Sequence, residues 1–201
     1  MSLPEKHLSN RVLRTPSVSI NFEKLEDSQL VSYFSKPGFK EDAFREVLRR
    51  YQEPIYRYVR NLLISAHDTE ELVTRTFVSL FKKIPGIKWN ASLKFFIYRL
   101  ASNESISFLK QKNPTMDFDN AQKEITEYLE IDSDINPALI EVKLQKALCY
   151  LPFKQKLVFV LAYFEGFDFE QIGELTQASA QSLKSTYEHA HKKLDVYLGV
   201  M

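Results

Sequence analysis

The chain has 201 residues, of which 44% are hydrophobic, and a net charge of +1, so it can form one medium domain or two small ones. Fifteen Phe and ten Tyr supply core material, while only five Gly disfavour a turn-rich all-β fold, and we therefore expect an all-α protein. The single cysteine, Cys149, excludes a disulfide within the chain and a cysteine-rich zinc site. Because the sequence has neither a run of about 18 apolar residues nor a signal-peptide pattern, the expected location is the cytoplasm.

Charge is distributed unevenly along the chain. Residues 39–113 carry 14 Lys or Arg against 8 Asp or Glu, a surplus of +6. Residues 114–145 carry 2 against 8, which gives −6, and residues 146–201 carry 6 of each. A basic block, an acidic bridge and a neutral block predict two modules with different tasks.

Residues 1–22 are polar and are expected to form a disordered tail. Between this tail and residue 113, the end of the basic block, the sequence predicts four helices. The first begins near Asp27, is capped by Asp27 or Ser28, and stops at a Lys-Pro-Gly turn. In the second, apolar residues recur at intervals of three and four over 44–62, and Pro54 is expected to bend or break the helix.

The third and fourth helices are separated by a loop that follows a Pro-Gly pair. Asp68 is expected to cap the third helix, and Ser92 to begin the fourth. Aromatic residues are more often core than binding platform, and we assign Phe96 to the core. Trp89 and Phe95 are the better candidates for exposure.

These patterns divide the chain into a first module, residues 23–113, an acidic linker, residues 114–136, and a second module, residues 137–201. Asn136-Pro137 is a favourable helix start, because proline is preferred at the first helical position. The second module is expected to contain helices at about 137–151, 153–164, 169–176 and 179–198.

The last two helices have the pattern of a helix-turn-helix. Asp168 can cap the first of them, Gly173 permits close approach of its neighbour, and Ser179 can cap the second. A three-residue turn joins the two helices, and short polar side chains follow near the start of the second, an arrangement that enters a DNA major groove. The alternative is an ordinary helical hairpin. The side chains expected to face outward are Gln181, Ser182, Lys184, Ser185, Glu188, His189 and Lys192.

The wider sequence favours the DNA-binding alternative. The stretch ALCYLPFKQKLVFVLAYFEGFDFEQIGELTQASAQSLKSTYEHAHKKLDVYL resembles the C-terminal, promoter-reading domain of bacterial RNA polymerase sigma factors. In that family a helix ending in Leu-Pro is followed by a helix, Gly, a Glu-x-Ile turn-helix and a Val-Lys-Ser recognition helix. The counterparts in this chain are Leu151-Pro152, Glu165-Gly166, Glu170-Gln171-Ile172, Leu183-Lys184-Ser185 and Ala190.

The first module carries an independent resemblance. FREVLRRYQEPIYRYV, TEELVTRTFVSLFKKI and FFIYRLASNESISFLKQK are similar to the N-terminal domain of the two-domain extracytoplasmic-function (ECF) sigma factors. In that family the second stretch grips the polymerase clamp, and the third, usually Trp-Leu-Tyr-x-Ile-Ala-x-Asn, lies against the melted promoter. The counterpart of the third stretch is residues 96–103, and the whole resemblance covers roughly residues 27–198.

The resemblance implies a transcription initiation factor that has no enzymatic activity, cofactor or metal. Its implied partners are the RNA polymerase core and promoter DNA, as duplex and as melted strand, with an anti-sigma protein as a further candidate. The implied polymerase-binding residues are Glu70, Glu71, Leu72, Val73, Arg75, Thr76 and Phe77. Those for the melted −10 element, where cations meet phosphates and aromatic rings receive unstacked bases, are Lys88, Trp89, Asn90, Lys94, Phe95, Tyr98, Arg99, Asn103, Lys110 and Lys112. Those for the −35 duplex are Ser179, Gln181, Ser182, Lys184, Ser185, Glu188, His189 and Lys192.

The chain departs from the family pattern at both binding surfaces. Thr74-Arg75 stands where the family usually has Gln-Glu in the clamp helix, and Thr186, His189 and His191 stand where it commonly has Arg. A reversed interface charge weakens binding unless the partner surface compensates. Each lost phosphate contact lowers both DNA affinity and its salt dependence. These departures keep open a second interpretation, a degenerate sigma-like regulator that binds polymerase or an anti-sigma partner without initiating transcription.

Three further features carry weaker interpretations. Gln177 replaces the usual turn glycine, and a left-handed backbone there would cost about 1 kcal/mol. His67-Asp68 resembles a metal-binding pair of helical phosphohydrolases, but such a site needs more ligands, and Asp68 can serve as a helix cap. The acidic linker either mimics nucleic acid near the polymerase active centre, as the resemblance implies, or provides solubility.

Overall fold

The computed structural model describes residues 20–63, 65–84, 92–112, 114 and 140–199. These residues contain helices and no strand, which confirms the expected all-α class. The predicted linker beyond residue 114, the Asn136-Pro137 start and the tail up to residue 19 lie outside the described residues. The helices are α1 (Asp27–Tyr33), α2 (Lys40–Leu62), α3 (Ala66–Lys83), α4 (Leu93–Lys112), α5 (Ile140–Cys149), α6 (Phe153–Phe159), α7 (Phe169–Thr176) and α8 (Ala180–Leu198).

In the first module, α2, α3 and α4 pack against one another around a core of aliphatic and aromatic side chains. Near its centre the fully buried Tyr58 hydroxyl lies 2.6 Å from the hydroxyl oxygen of Ser102 on α4. The ring of Tyr58 also meets that of Tyr98 edge to face, with centroids 4.9 Å apart. These contacts fix the rotation of α4 about its own axis, and so decide which of its side chains face outward.

Arg50 on α2 anchors the residues that precede α1. Its guanidinium donates to the Leu25 carbonyl oxygen at 2.6 Å, to Asp27 Oδ1 at 3.0 Å and to Glu46 Oε1 at 2.7 Å. Glu46 is 5% exposed and also accepts from Arg49. The hydrogen bond from Arg49 outweighs the opposing effect of burial, and the pKa of Glu46 falls from 4.5 to about 2.

Two expected helix caps were wrong. The N-cap of α1 is Glu26, and Asp27 instead accepts hydrogen bonds from Arg50 and Tyr51. The N-cap of α3 is Ser65, whose Oγ accepts from the Asp68 amide at 3.2 Å. The carboxylate of Asp68 pairs with Lys112 Nζ at 2.6 Å. In both cases an acidic residue within the first turn serves a distant cation, and the residue before the helix becomes the cap.

Two predictions about helix continuity can be compared with the structure. Pro54 lies inside α2, which runs unbroken from Lys40 to Leu62, so the proline does not break the helix. In the second module α6 continues into one turn of π-helix, Val160–Phe164, so the predicted 153–164 segment is helical throughout. Among the described residues, no helix is long and apolar enough to cross a membrane.

Candidate nucleic-acid and polymerase interfaces

The helix-turn-helix is held by local contacts at both sides of its turn. Asp168 caps α7, with its Oδ1 accepting from the Gln171 amide at 2.7 Å, and Gln171 Oε1 accepting in return from the Asp168 amide at 3.1 Å. Ser179 caps α8 by accepting from the Ser182 amide at 3.3 Å. Between them Gln177 has φ 60° and ψ 32°, so the left-handed conformation considered for this residue is present. The three expectations about Asp168, Gln177 and Ser179 are therefore confirmed.

Gly173 explains how closely α7 approaches the turn. A Cβ atom at this position would lie 2.8 Å from the carbonyl oxygen of Ala178 and 3.7 Å from Leu183 Cδ1. The expected close approach at Gly173 is confirmed, and it is an approach to backbone, which cannot yield as a flexible side chain can. The glycine therefore sets the distance between the helix-turn-helix elements.

The second helix of the motif presents a polar edge. Leu183, Ala190 and Leu194 are buried, at 1%, 0% and 3% exposure. Tyr187 is partly buried and stacks on Phe159 of α6 with ring centroids 5.5 Å apart. Every residue predicted for the −35 duplex is exposed: Ser179, Gln181, Ser182, Lys184, Ser185, Glu188, His189 and Lys192. The first turns of α8 thus present short polar side chains, Ser182 and Ser185, beside longer ones, Gln181 and Lys184, that can reach base edges or phosphates.

Two of the three α8 residues that stand where the family commonly has Arg make hydrogen bonds within the protein. Thr186 Oγ1 donates to the Ser182 carbonyl oxygen at 2.8 Å, and His191 Nδ1 lies 2.9 Å from Asp195 Oδ2. His189 is exposed. The exposed cations that remain on this edge, Lys184 and Lys192, lie along the same face as Glu188, so its surplus of positive charge is small.

The predicted −10 residues on α4 fall into two groups. Arg99, Asn103 and Lys110 are exposed. Phe95 and Tyr98 are buried, at 6% and 1% exposure, and Lys94 is partly buried. The first group therefore lies on the surface of α4, and the second faces neighbouring parts of the chain.

The assignment of the two neighbouring phenylalanines was wrong. Phe95 was expected to be exposed but is buried. Phe96 was expected in the core but is only partly buried, packed against the core. The second module contributes to the burial of Phe95, since its Phe167 ring lies 5.8 Å from the Phe95 ring. Lys112 is also engaged, in the ion pair with Asp68. The predicted Lys88, Trp89 and Asn90 lie outside the described residues.

The predicted polymerase-binding residues occupy both faces of α3. Leu72, Val73, Thr76 and Phe77 are buried in the first module, where they support the helix. The outer face carries Glu70, Glu71, Thr74, Arg75 and Val78, of which Val78 is 46% exposed. Arg75 Nη2 donates to Glu71 Oε1 at 2.5 Å, so the cation that departs from the family pattern is balanced on its own helix.

Sequence reasoning missed the contacts between the modules. Glu165 was interpreted only as part of the Glu165-Gly166 counterpart of the family pattern, and Lys156 received no role. In the structure Glu165 accepts a hydrogen bond from Tyr98, and Lys156 Nζ lies 3.4 Å from the Leu62 carbonyl oxygen. Lys156 lies three residues after Phe153 and four before Val160, on the apolar face of the helix, and this spacing was the available signal, since lysine is rarely buried unless it has a partner. The described residues contain no cluster of three or more potential metal ligands around His67 or elsewhere.

Comparison with known proteins identifies the family. Residues 47–115 match the model for sigma-70 region 2, and residues 141–194 match the model for sigma-70 region 4, which together span more than half the chain. The chain is 26% identical over 164 residues to the ECF RNA polymerase sigma factor SigW of Bacillus subtilis, covering 77% of this chain and 88% of that protein. It is 23% identical to the ECF RNA polymerase sigma factor SigE of Mycolicibacterium smegmatis, covering 76% and 60%.

Two solved structures share the fold. The sigma factor RpoE in complex with the anti-sigma factor NepR from Bartonella quintana has a TM-score of 0.64 and 21% identity, covering 78% of this chain and 97% of that one. CnrH in complex with the cytosolic domain of CnrY also has a TM-score of 0.64, with 15% identity and coverages of 87% and 97%.

The helical modules and the ordered pair of region models define a transcription initiation factor of the sigma-70 family, whose members act by binding polymerase and promoter DNA rather than as enzymes. Within that family the chain belongs to the ECF type: it is an RNA polymerase sigma factor that directs promoter recognition and transcription initiation. Nothing in these comparisons favours the degenerate regulator.

Proposed function

We propose that α8 reads the −35 duplex through the exposed edge formed by Ser179, Gln181, Ser182, Lys184, Ser185, Glu188, His189 and Lys192. The observation that carries this proposal is the coincidence of this edge with the outward face of a capped helix-turn-helix. Lys184 contacts phosphate or guanine, Gln181 pairs with adenine, and Glu188 accepts from cytosine, as their donor and acceptor patterns allow. The second module, residues 137–201, is then the −35 unit.

A matched pair of lysine variants tests this role. Lys184→Ala removes a cation from the proposed interface, whereas Lys143→Ala removes one from an exposed position on α5. Binding of a duplex from a promoter that the protein uses is measured over a range of salt concentrations. We expect Lys184→Ala alone to weaken binding by about 1–3 kcal/mol and, if Lys184 contacts phosphate, to reduce the salt slope by about one unit. Equal effects of the two variants would refute the assignment.

We further propose that the first module, residues 23–113, holds the melted −10 strand along α4. Exposed Arg99, Asn103 and Lys110 contact the backbone, and Lys94, Phe95 and Tyr98 receive a nucleotide together with Lys88, Trp89 and Asn90. A cation beside two aromatic rings suits an unstacked base and its phosphate, since each base stack contributes about 1–3 kcal/mol. Arg99→Ala should reduce permanganate reactivity of the melted region when polymerase is bound. Lys82→Ala, which removes an exposed cation from α3, should leave that reactivity unchanged.

For polymerase binding we propose the outer face of α3, with Glu70 and Glu71 as the principal contacts and Arg75 paired to Glu71. An exposed i,i+4 pair contributes at most about 1 kcal/mol, so polymerase can displace it at little cost. Glu70→Ala should weaken binding to the polymerase core more than Glu53→Ala, which removes an exposed carboxylate from α2. Because polymerase and promoters are cytoplasmic, the protein acts in the cytoplasm. An anti-sigma protein is a proposed further partner, since both structural neighbours are complexes with such proteins or their domains.

A further inference from the structure

The loop between the π-helical turn and α7 lies against the first half of α4. Lys94 Nζ donates to the Glu165 carbonyl oxygen at 2.9 Å, and Tyr98 OH donates to Glu165 Oε2 at 2.5 Å. The Phe167 ring lies 5.8 Å from the Phe95 ring and 5.3 Å from the Tyr98 ring, edge to face in both cases. Lys94 Nζ is also 5.1 Å from the centroid of the Phe167 ring. Glu165 and Phe167 therefore bring one carboxylate and one aromatic ring to one cation and two aromatic rings of α4.

These contacts have the chemistry of a nucleotide in a single-strand site. Lys94 binds the backbone carbonyl oxygen of Glu165, and Tyr98 binds its carboxylate, where these side chains would bind the oxygens of a nucleotide. The rings of Phe95 and Tyr98 contact Phe167 edge to face where they would contact an unstacked base. Phe167 and Phe95 are 8% and 6% exposed, so little room remains for a ligand. Building on the proposed −10 function, we infer that residues 165–168 are an internal mimic of one nucleotide of the melted strand, and that the closed chain blocks its own −10 site.

The same interface contains a feature that weakens closure. Lys156 of α6 is 4% exposed, and its Nζ has a long hydrogen bond of 3.4 Å to the carbonyl oxygen of Leu62, the last residue of α2. Burial lowers the pKa of Lys156, with the nearby Cys149 opposing the change. Burial also raises the pKa of Glu165, and the hydrogen bond from Tyr98 opposes this increase. Desolvation of two charged groups offsets part of the apolar contact, so polymerase can separate the modules.

Charge-reversal variants distinguish a nucleotide mimic from a passive contact. Glu165→Lys removes the carboxylate that accepts from Tyr98 and places a second cation near Lys94, while it leaves every proposed DNA contact in place. Glu170→Lys makes the same change of +2 at an exposed residue of α7, so both variants gain equal general attraction to DNA. The full-length proteins are compared by small-angle scattering and by affinity for a pool of random-sequence single-stranded DNA, without polymerase.

We expect Glu165→Lys to increase the radius of gyration and to bind single strands about tenfold more tightly than Glu170→Lys. The factor of about ten is the gain expected when about one wild-type molecule in ten is open and the variant is fully open. Combining Glu165→Lys with Phe167→Ala, which removes the aromatic half of the mimic, should keep this gain. If the chain expands but affinity equals that of Glu170→Lys, the loop does not block the strand site. If Glu165→Lys does not increase the radius of gyration, residues 165–168 do not hold the chain closed. Either result overturns the inference.

Transcription with core polymerase separates this inference from the function on which it rests. The wild type and Glu165→Lys could initiate transcription and melt the promoter equally, while Glu165→Lys binds single-stranded DNA no more tightly than Glu170→Lys. That result would support the −10 role and refute the internal mimic. If Arg99→Ala leaves promoter melting intact, the −10 assignment itself is wrong.

Discussion

Gly173→Ala should destabilise the helix-turn-helix although it adds only one methyl group. The new Cβ would lie 2.8 Å from the Ala178 carbonyl oxygen, inside the 3.0 Å that Cβ atoms essentially never cross. Alanine favours a helix interior by up to about 1 kcal/mol over glycine, whereas overpacking against a well-packed region costs about 1–3 kcal/mol. Because the opposing atom belongs to the backbone of the turn, we expect a cost in the upper part of this range, about 2–3 kcal/mol, and therefore a net loss of about 1–2 kcal/mol.

Thermal unfolding followed by far-UV circular dichroism measures this loss. A change of 1–2 kcal/mol corresponds to a fall in Tm of about 2–8 °C for a chain of this size. Glu174→Ala, at the next and exposed position of α7, is the matched control and should remain within about 0.5 kcal/mol of the wild type. Duplex affinity should fall with an unchanged salt slope, since the variant tilts α8 without removing a phosphate contact. An unchanged or higher Tm for Gly173→Ala would refute the argument.

Three further predictions concern stability. Gln177→Gly should raise stability by up to about 1 kcal/mol, because φ at this residue is 60°; a fall in Tm would contradict this. The pKa of Glu46 is lowered from 4.5 to about 2, so its contribution, at most about 3 kcal/mol, is present above pH 4.5 and lost as the pH falls towards 2. Glu46→Gln should remove this part of the acid dependence of unfolding, and identical pH profiles would refute it. Lys156→Met should raise Tm, because it removes a buried charge. Since the pKa of Lys156 is lowered in the folded state, the stability that the variant gains over the wild type should shrink as the pH rises above this folded-state pKa. An unchanged Tm at neutral pH would contradict this prediction.

Features fixed by neighbouring residues were predictable from the sequence. The Asp168 and Ser179 caps, the close approach at Gly173 and the left-handed Gln177 all depend on groups within a few residues. Spacing of apolar residues likewise placed the outward edge of α8, since a helix that packs on one face leaves the opposite face exposed.

Features fixed by distant residues were not predictable in this way. Asp27 and Asp68 satisfy the local requirements of a helix cap, but each carboxylate is engaged by a cation far along the chain, 23 and 44 residues away respectively. Phe95 was expected to be exposed, but it is buried in the structure, where its ring meets that of Phe167 in the second module at 5.8 Å. A local pattern cannot indicate which surface of one module the other will cover.

Run-off transcription tests the central claim most directly. Core RNA polymerase from the source organism is combined with this protein on fragments of that organism's genome, and polymerase alone is the control. Start sites that depend on the protein are the predicted result, and Lys184→Ala should reduce transcription from them while Lys143→Ala does not. Polymerase that binds the protein yet starts nowhere would contradict the account, and would return Thr74, Arg75 and His189 to the status of evidence for a degenerate regulator.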